Sequence, residues 1–128
     1  MEKFIPKDKH DIQAVEECIR IGYPEIKPIL PELLNWIQDM NWPVAQVLAP
    51  FLAENAEYIE TEIRDILNGD DEIWKYWVMI EILGKSPQLQ KNLQNELEKF
   101  ANHPTESEQI EELDIIAKEI LKKTNHVG

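Results

Sequence analysis

The sequence predicts an all-α fold: a short right-handed solenoid of antiparallel helix pairs behind an N-terminal capping helix. Apolar residues recur every three or four positions from Asp8 almost to the C-terminal end, while the alternation typical of strands is almost absent. Proline, glycine and capping residues divide this pattern into helix-length segments. At 128 residues the chain is expected to form a single domain, residues 1–128.

Cap and proline signals bound the first two helices. Asp8 is the predicted N-cap of helix one, and Gly22 is a residue type that favours a helix stop. Tyr23-Pro24 then turns the chain, and helix two is expected to begin near Pro28. Pro31 falls in its first turn, where the missing N–H has no intrahelical partner.

The clearest signal of a helix boundary in the sequence lies directly before helix three. Asn41 is predicted to cap it, and Pro43 to lie in its first turn. Pro50 lies inside this helix and removes the hydrogen bond to the Gln46 carbonyl, so we expect a kink or break. The helix is predicted to end near Asn55.

A predicted helix end separates helix four from helix five. Helix four is amphipathic and ends at Asn68-Gly69. Helix five starts at Asp70-Asp71 and carries apolar residues around nearly its whole circumference, which predicts the central and most buried helix. Trp74 and Trp77 are therefore assigned to the core.

Serine and threonine caps begin the two C-terminal helices. Ser86 precedes Pro87 at the start of helix six, whose apolar stripe reaches Phe100. Thr105 and Glu108 have the spacing of a capping box at the start of the last helix. Each segment is predicted to be one continuous helix.

A weak internal repeat underlies the solenoid prediction. Leu52 and Leu83 are 31 residues apart, and Ile115 lies 32 residues beyond Leu83. Because one helix pair cannot bury its apolar stripe alone, three stacked pairs would share a continuous core, with the first helix as the cap. Few residues are identical between the repeats, so an irregular helical bundle remains an alternative.

One stretch of the sequence resembles a known family. Residues 31–45 (PELLNWIQDMNWPVA), with residues 22–24 before them and 71–77 after them, resemble a small bacterial family catalogued as domain of unknown function 5071, over nearly the full length. Within it, one pattern is similar to HEAT-type repeats: Leu33, Leu34, Asp39, Val44, Ala45, Ala49 and Leu52. A typical HEAT second helix carries Arg or Lys beside the valine, whereas this chain has Ala45 there and only Lys75 in the second pair. The resemblance implies a HEAT-like fold and brings no activity or catalytic residues.

The charge balance limits the classes of partner. The chain has 25 Asp and Glu against 13 Lys and Arg, a net charge of -12, so nucleic-acid phosphates and an anionic membrane would be repelled. The same charge favours docking to a protein with a basic surface. Cys18 is the one cysteine and is expected in the core, and the N-terminus lacks an apolar leader. We therefore expect a cytoplasmic protein.

Side chains that could carry chemistry are sparse. His10, His103 and His126 lack the spacing of a metal site, and the four glycines form no phosphate-binding loop. Capping and the helix dipole explain acids such as Asp70-Asp71 at a helix start. We therefore expect no metal site, no cofactor and no enzymatic activity.

The candidate binding residues are four positions around one turn: Trp36, Asp39, Asn41 and Trp42. Tryptophan is favoured as an anchor in protein interfaces, whereas Asp39 and Asn41 have the alternative role of capping helix three.

The sequence thus predicts a non-enzymatic protein–protein interaction module, a monomer or weak dimer, that binds a partner with a basic surface. Two alternatives stay open. One is an immunity-type protein that neutralises a cationic toxin, for which salt-sensitive association is expected. The other is an enzyme of a type that the sequence does not reveal.

Overall fold

The computed structural model describes the backbone of residues 2–127 and the side chains of residues 3–124. This part of the chain contains helices and no strand, which confirms the all-α prediction. The α-helices are α1 (Ile12–Ile21), α2 (Leu30–Leu34), α3 (Pro43–Glu54), α4 (Glu60–Leu67), α5 (Glu72–Glu81), α6 (Pro87–Asn92), α7 (Gln94–Asn102), α8 (Glu106–Ile110) and α9 (Leu113–Val127). Short 3-10 turns lie at Glu2–Phe4, Lys27–Ile29, Asn35–Gln38, Ala56–Ile59 and Leu83–Lys85.

The caps of α1 agree with the sequence at one end only. Asp11, not Asp8, caps the helix, because its carboxylate directly precedes the first helical residue and accepts from the Ala14 N–H at 3.3 Å. The Asp8 carboxylate instead accepts from the His10 N–H at 2.8 Å. At the other end Gly22 has φ of 73° and closes the helix, as predicted.

The prolines at the start of the second and third helices lie where they were predicted, but the N-cap of the third helix does not. Pro31 lies in the first turn of α2, as expected, and Pro43 begins α3. Asn41 does not cap α3: the N-cap is Trp42, with no side-chain hydrogen bond. The helix runs across Pro50 to Glu54 without a break. Pro50 lies on the exposed side of the helix, where water can reach a carbonyl that has lost its donor.

Two segments predicted as continuous helices are each interrupted. The break between α6 and α7 falls at Leu93, and the break between α8 and α9 contains Glu112 with φ of 61°. The second break shifts the register of the C-terminal segment. Leu52 and Leu83 are fully buried, whereas Ile115 is 50% exposed, so the predicted match of Ile115 to those leucines is wrong.

The core runs through every α-helix except α8, from Phe4 to Ile120, and it includes the fully buried Cys18. Helix α3 buries six residues and α5 only three, so the prediction that α5 is the most buried helix is wrong. Helix α5 buries Val78 and Met79 but also Lys75, and its Ile73 is 53% exposed.

Packing between helices positions the site described below. Helix α1 packs on α3, α3 packs on α5, and α5 and α7 pack on α9. Helix α4 and the 3-10 turn Asn35–Gln38 both contact α5. The end of α2, the outer side of α4 and the start of α5 therefore meet at one place on the surface.

Candidate functional site

The structure brings the two predicted tryptophans of the turn together. The rings of Trp36 and Trp42 pack edge to face, with centroids 5.6 Å apart and planes at 71°. Both side chains are half-buried and lie against the core. The pair therefore has a structural role as well as a partly exposed surface.

The two polar residues of that turn act on the turn itself. The Asp39 carboxylate accepts from the Asn41 N–H at 2.9 Å, and the Asp39 carbonyl accepts from the Trp42 N–H at 3.1 Å. The predicted capping of α3 by Asp39 or Asn41 is therefore wrong, because their polar groups close the turn before the helix. The side chain of Asn41 remains exposed.

A groove of about 470 Å³ lies between α2, α4 and the start of α5. We call it the Trp74 groove. Its apolar lining residues are Pro31, Leu34, Ile66 and Trp74. Its acidic lining residues are Glu32, Glu62, Asp65, Asp70 and Asp71.

Trp74 is held in place at two points. Its indole Nε1 donates to the Leu34 carbonyl at 3.1 Å, and its backbone N–H donates to the Asp71 carboxylate at 3.0 Å. The ring is half-buried and packs against the core. The groove therefore has a fixed aromatic wall.

The acidic residues of the groove leave a strong negative charge around this wall. None of the five forms an ion pair with a lysine or arginine among the side chains that the structure describes. Two of them make local hydrogen bonds: Asp71 caps α5, as predicted, and Glu32 accepts from Asn35 at 3.5 Å. The residues that line the groove include no lysine, arginine or histidine. An apolar surface rimmed by carboxylates suits a cationic side chain with an aliphatic stem.

No local pattern in the sequence predicts this groove. The sequence predicts Trp74 in the core and only a capping role for Asp70-Asp71, because each prediction explains its residues locally. The signal that was available is the spacing of Glu62 and Asp65, which places two acids on one face of α4 close in sequence to Asp70-Asp71. The contact of Trp74 with Leu34 joins residues 40 positions apart and leaves no local pattern.

A buried ion-pair cluster lies on another side of α5. The Lys75 ammonium contacts Glu72 at 2.7 Å and Glu108 at 3.5 Å, and it lies 5.7 Å from the centroid of the Phe100 ring. The hydrogen bond from Lys75 is the main reason why the pKa of Glu72 lies below its usual range. Glu108 also completes the predicted capping box with Thr105. This cluster ties α5 to α8.

Cys18 and Ser86, two side chains that could carry chemistry, have structural roles. Burial raises the pKa of the Cys18 thiol to about 11, so it is protonated at neutral pH. The Ser86 hydroxyl caps α6 by accepting from the Leu89 N–H at 3.3 Å. The described side chains, which exclude that of His126, contain no group of three residues suited to a metal ion. No helix in the described part of the chain is long and apolar enough to cross a membrane.

Comparison with known proteins identifies the family. The sequence profile of a family described as Domain of unknown function (DUF5071) matches residues 4–121, nearly the whole chain. The chain belongs to this family, as its resemblance predicted. A search of curated proteins found no match.

Proposed function

We propose that this member of the domain of unknown function 5071 family is a non-enzymatic interaction module that binds a basic segment of a partner protein in the Trp74 groove. One observation carries the proposal: five carboxylates without a lysine or arginine partner among the described side chains surround a fixed apolar wall.

The groove fits an arginine or lysine side chain better than other side chains. The aliphatic stem would lie on Ile66 and the Trp74 ring, and the charged end would reach the carboxylates of Glu62 and Asp65. A cation over an aromatic ring contributes about 0.5–2 kcal/mol, depending on desolvation. The net charge of -12 adds long-range attraction that speeds association and weakens with salt.

The Trp36–Trp42 turn is a second contact in this proposal. Asn35 lines the groove, and Trp36 follows it directly in the chain. A segment that leaves the groove past Asn35 would next meet the exposed parts of Trp36, Asn41 and Trp42.

The proposal includes a HEAT-like right-handed solenoid as the scaffold. Two contacts support it because they join residues one repeat apart: Arg64 to Glu96, 32 residues apart at 3.1 Å, and Lys75 to Glu108, 33 residues apart at 3.5 Å. Stacked repeats place equivalent residues side by side in this way. Such a scaffold would act in the cytoplasm as a monomer or weak dimer.

The test is an NMR titration of the isotope-labelled protein with a synthetic peptide of alternating arginine and serine. We expect the largest shifts at the Trp74 indole N–H and at the backbone amides of residues 62–71. The triple variant Glu62→Gln/Asp65→Asn/Asp70→Asn should weaken binding at least tenfold. None of these three side chains makes an ion pair within the described part of the chain, so the variant should fold.

The control removes the same charge from other faces of the protein. Glu16, Glu25 and Glu54 are exposed and lie outside the groove, so Glu16→Gln/Glu25→Gln/Glu54→Gln should lose only the long-range part of the attraction. If both triple variants weaken binding equally, the peptide senses net charge alone and the proposed site is wrong.

An immunity-type role is the second candidate. Its support is the acid on α8, on α9 and in the break between them, in addition to the groove: Glu106, Glu111, Glu112, Asp114 and Glu119. A wide acidic surface suits a folded basic toxin, with contacts over both helices, rather than one extended segment. Charge neutralisation on α9 would then weaken partner binding as much as neutralisation of the groove.

A further inference from the structure

We propose that the segment held by the Trp74 groove continues into a neighbouring cleft and inserts an aliphatic side chain between Ile73 and Ile110. This inference rests on the proposed function and specifies the partner: a basic segment in which an aliphatic residue lies close to the arginine or lysine. An arginine-rich segment without that residue would bind more weakly.

The second cleft lies between the start of α5 and α8 and has a volume of about 570 Å³. We call it the Ile73–Ile110 cleft. Ile73 is 53% exposed and Ile110 is 70% exposed, and both line the cleft. Two isoleucines from different helices thus present apolar surface to one cleft, where an aliphatic side chain would remove both from water.

The two clefts share a boundary. Asp70 and Asp71 line both of them. Ile73 and Trp74 are consecutive residues of α5, so their side chains leave the helix about 100° apart and face neighbouring clefts. A segment that crosses the start of α5 would therefore place one side chain beside Trp74 and another beside Ile73.

Charge identifies the occupant of the Ile73–Ile110 cleft as part of a basic segment. Four of its lining residues are acidic, Asp70, Asp71, Glu72 and Glu111, and none is basic; of the four only Glu72 pairs with a described lysine or arginine, Lys75. A second copy of this chain, with its net charge of -12, is repelled from such a surface, and so is an acidic peptide. An aliphatic residue flanked by basic residues satisfies both the isoleucines and the carboxylates.

The experiment compares two synthetic peptides of equal charge by calorimetric titration. Both carry the same number of arginines, with leucines between them in one peptide and serines in the other. We expect the leucine peptide to bind the unaltered protein about tenfold more tightly, since it buries much of an aliphatic side chain. The variants Ile110→Ser and Ile73→Ser should each lose most of this preference and keep the affinity for the serine peptide.

Ile115→Ser is the matched control, because Ile115 is 50% exposed and lines neither cleft. It should retain the preference for leucine. Equal binding of the two peptides to the unaltered protein would overturn the inference while leaving the Trp74 groove as proposed, and so would a leucine preference that survives in Ile110→Ser. Failure of both peptides to bind would overturn the proposed function itself.

Discussion

The indole nitrogen of Trp74 donates a hydrogen bond to the carbonyl oxygen of Leu34 at 3.1 Å, and this bond joins α5 to the end of α2. It fixes the aromatic wall of the Trp74 groove before any partner arrives. A site that is already ordered loses less conformational freedom on binding. The bond therefore serves both the stability of the fold and the shape of the groove.

Trp74→Phe should lower both the stability of the fold and the affinity of the groove. The variant keeps an aromatic ring but removes the hydrogen bond from the indole to the Leu34 carbonyl, which should lower the free energy of unfolding by about 1 kcal/mol. It should also weaken binding of the arginine–serine peptide, because the ring loses its anchor. Urea unfolding and the NMR titration measure the two effects.

Trp77→Phe is the control: Trp77 is also half-buried, and its indole N–H makes no hydrogen bond to a described residue. Equal losses of affinity in the two variants would contradict the role given to Trp74.

Asp65→Asn should stabilise the protein while weakening the peptide complex. Asp65 lies in the last turn of α4, where negative charge opposes the helix dipole, and Glu62 is one turn away. Removing its charge should raise the free energy of unfolding by about 0.5 kcal/mol at low salt, and the gain should shrink at high salt. A site that binds at the expense of stability behaves in this way.

Asp114→Asn is the control of opposite sign. Asp114 lies in the first turn of α9, where negative charge is favourable, so the same chemical change should lower the melting temperature slightly. A lower melting temperature for Asp65→Asn would show that its carboxylate contributes to the fold and would contradict the prediction.

Lys75→Met should be far more harmful than Lys85→Met. Lys75 is 3% exposed and contacts two glutamates, so its removal leaves Glu108 buried without a cation and should cost about 3 kcal/mol. Lys85 pairs with Glu81 at 3.3 Å, but its side chain is 56% exposed, and such a surface pair contributes less than about 1 kcal/mol. Chemical unfolding of both variants measures the difference. Similar losses would show that the Lys75 cluster is not a buried ion pair in solution.

Local signals in the sequence predict several helix starts but not all of them, since Asp8 and Asn41 do not cap their helices. Asp71, Ser86 and the Thr105 capping box start their helices as predicted, because a cap depends on only three or four residues. The break before α9 depends instead on Glu112, which has a positive φ. Because glutamate rarely adopts this conformation, no local sequence pattern predicts the break.

The Trp74 groove could not be predicted from local sequence patterns for the same physical reason. It exists because α2, α4 and α5 meet, and its central contact joins Trp74 to Leu34, 40 residues away. The apolar residues around nearly the whole circumference of α5 are also misleading: they predict the most buried helix, although Ile73 on that helix is 53% exposed. An apolar residue required by a partner has the same signature in one sequence as a residue required by the core.

The Cys18 thiol should make the free energy of unfolding depend on pH in the alkaline range. Burial raises its pKa to about 11 in the folded protein, whereas an unfolded cysteine ionises near 8.5. Between these values the folded state keeps a proton that the unfolded state loses, so the free energy of unfolding should fall as the pH rises from about 9 to about 11. Urea unfolding across this range measures the slope.

The control is Cys18→Ala, which should be less stable at pH 7 because of the cavity. It should lack this part of the slope, since the other titrating groups are common to both proteins. Parallel slopes for the two proteins would mean that water reaches the thiol, and the N-terminal core between α1 and α3 would then be more open than the structure shows.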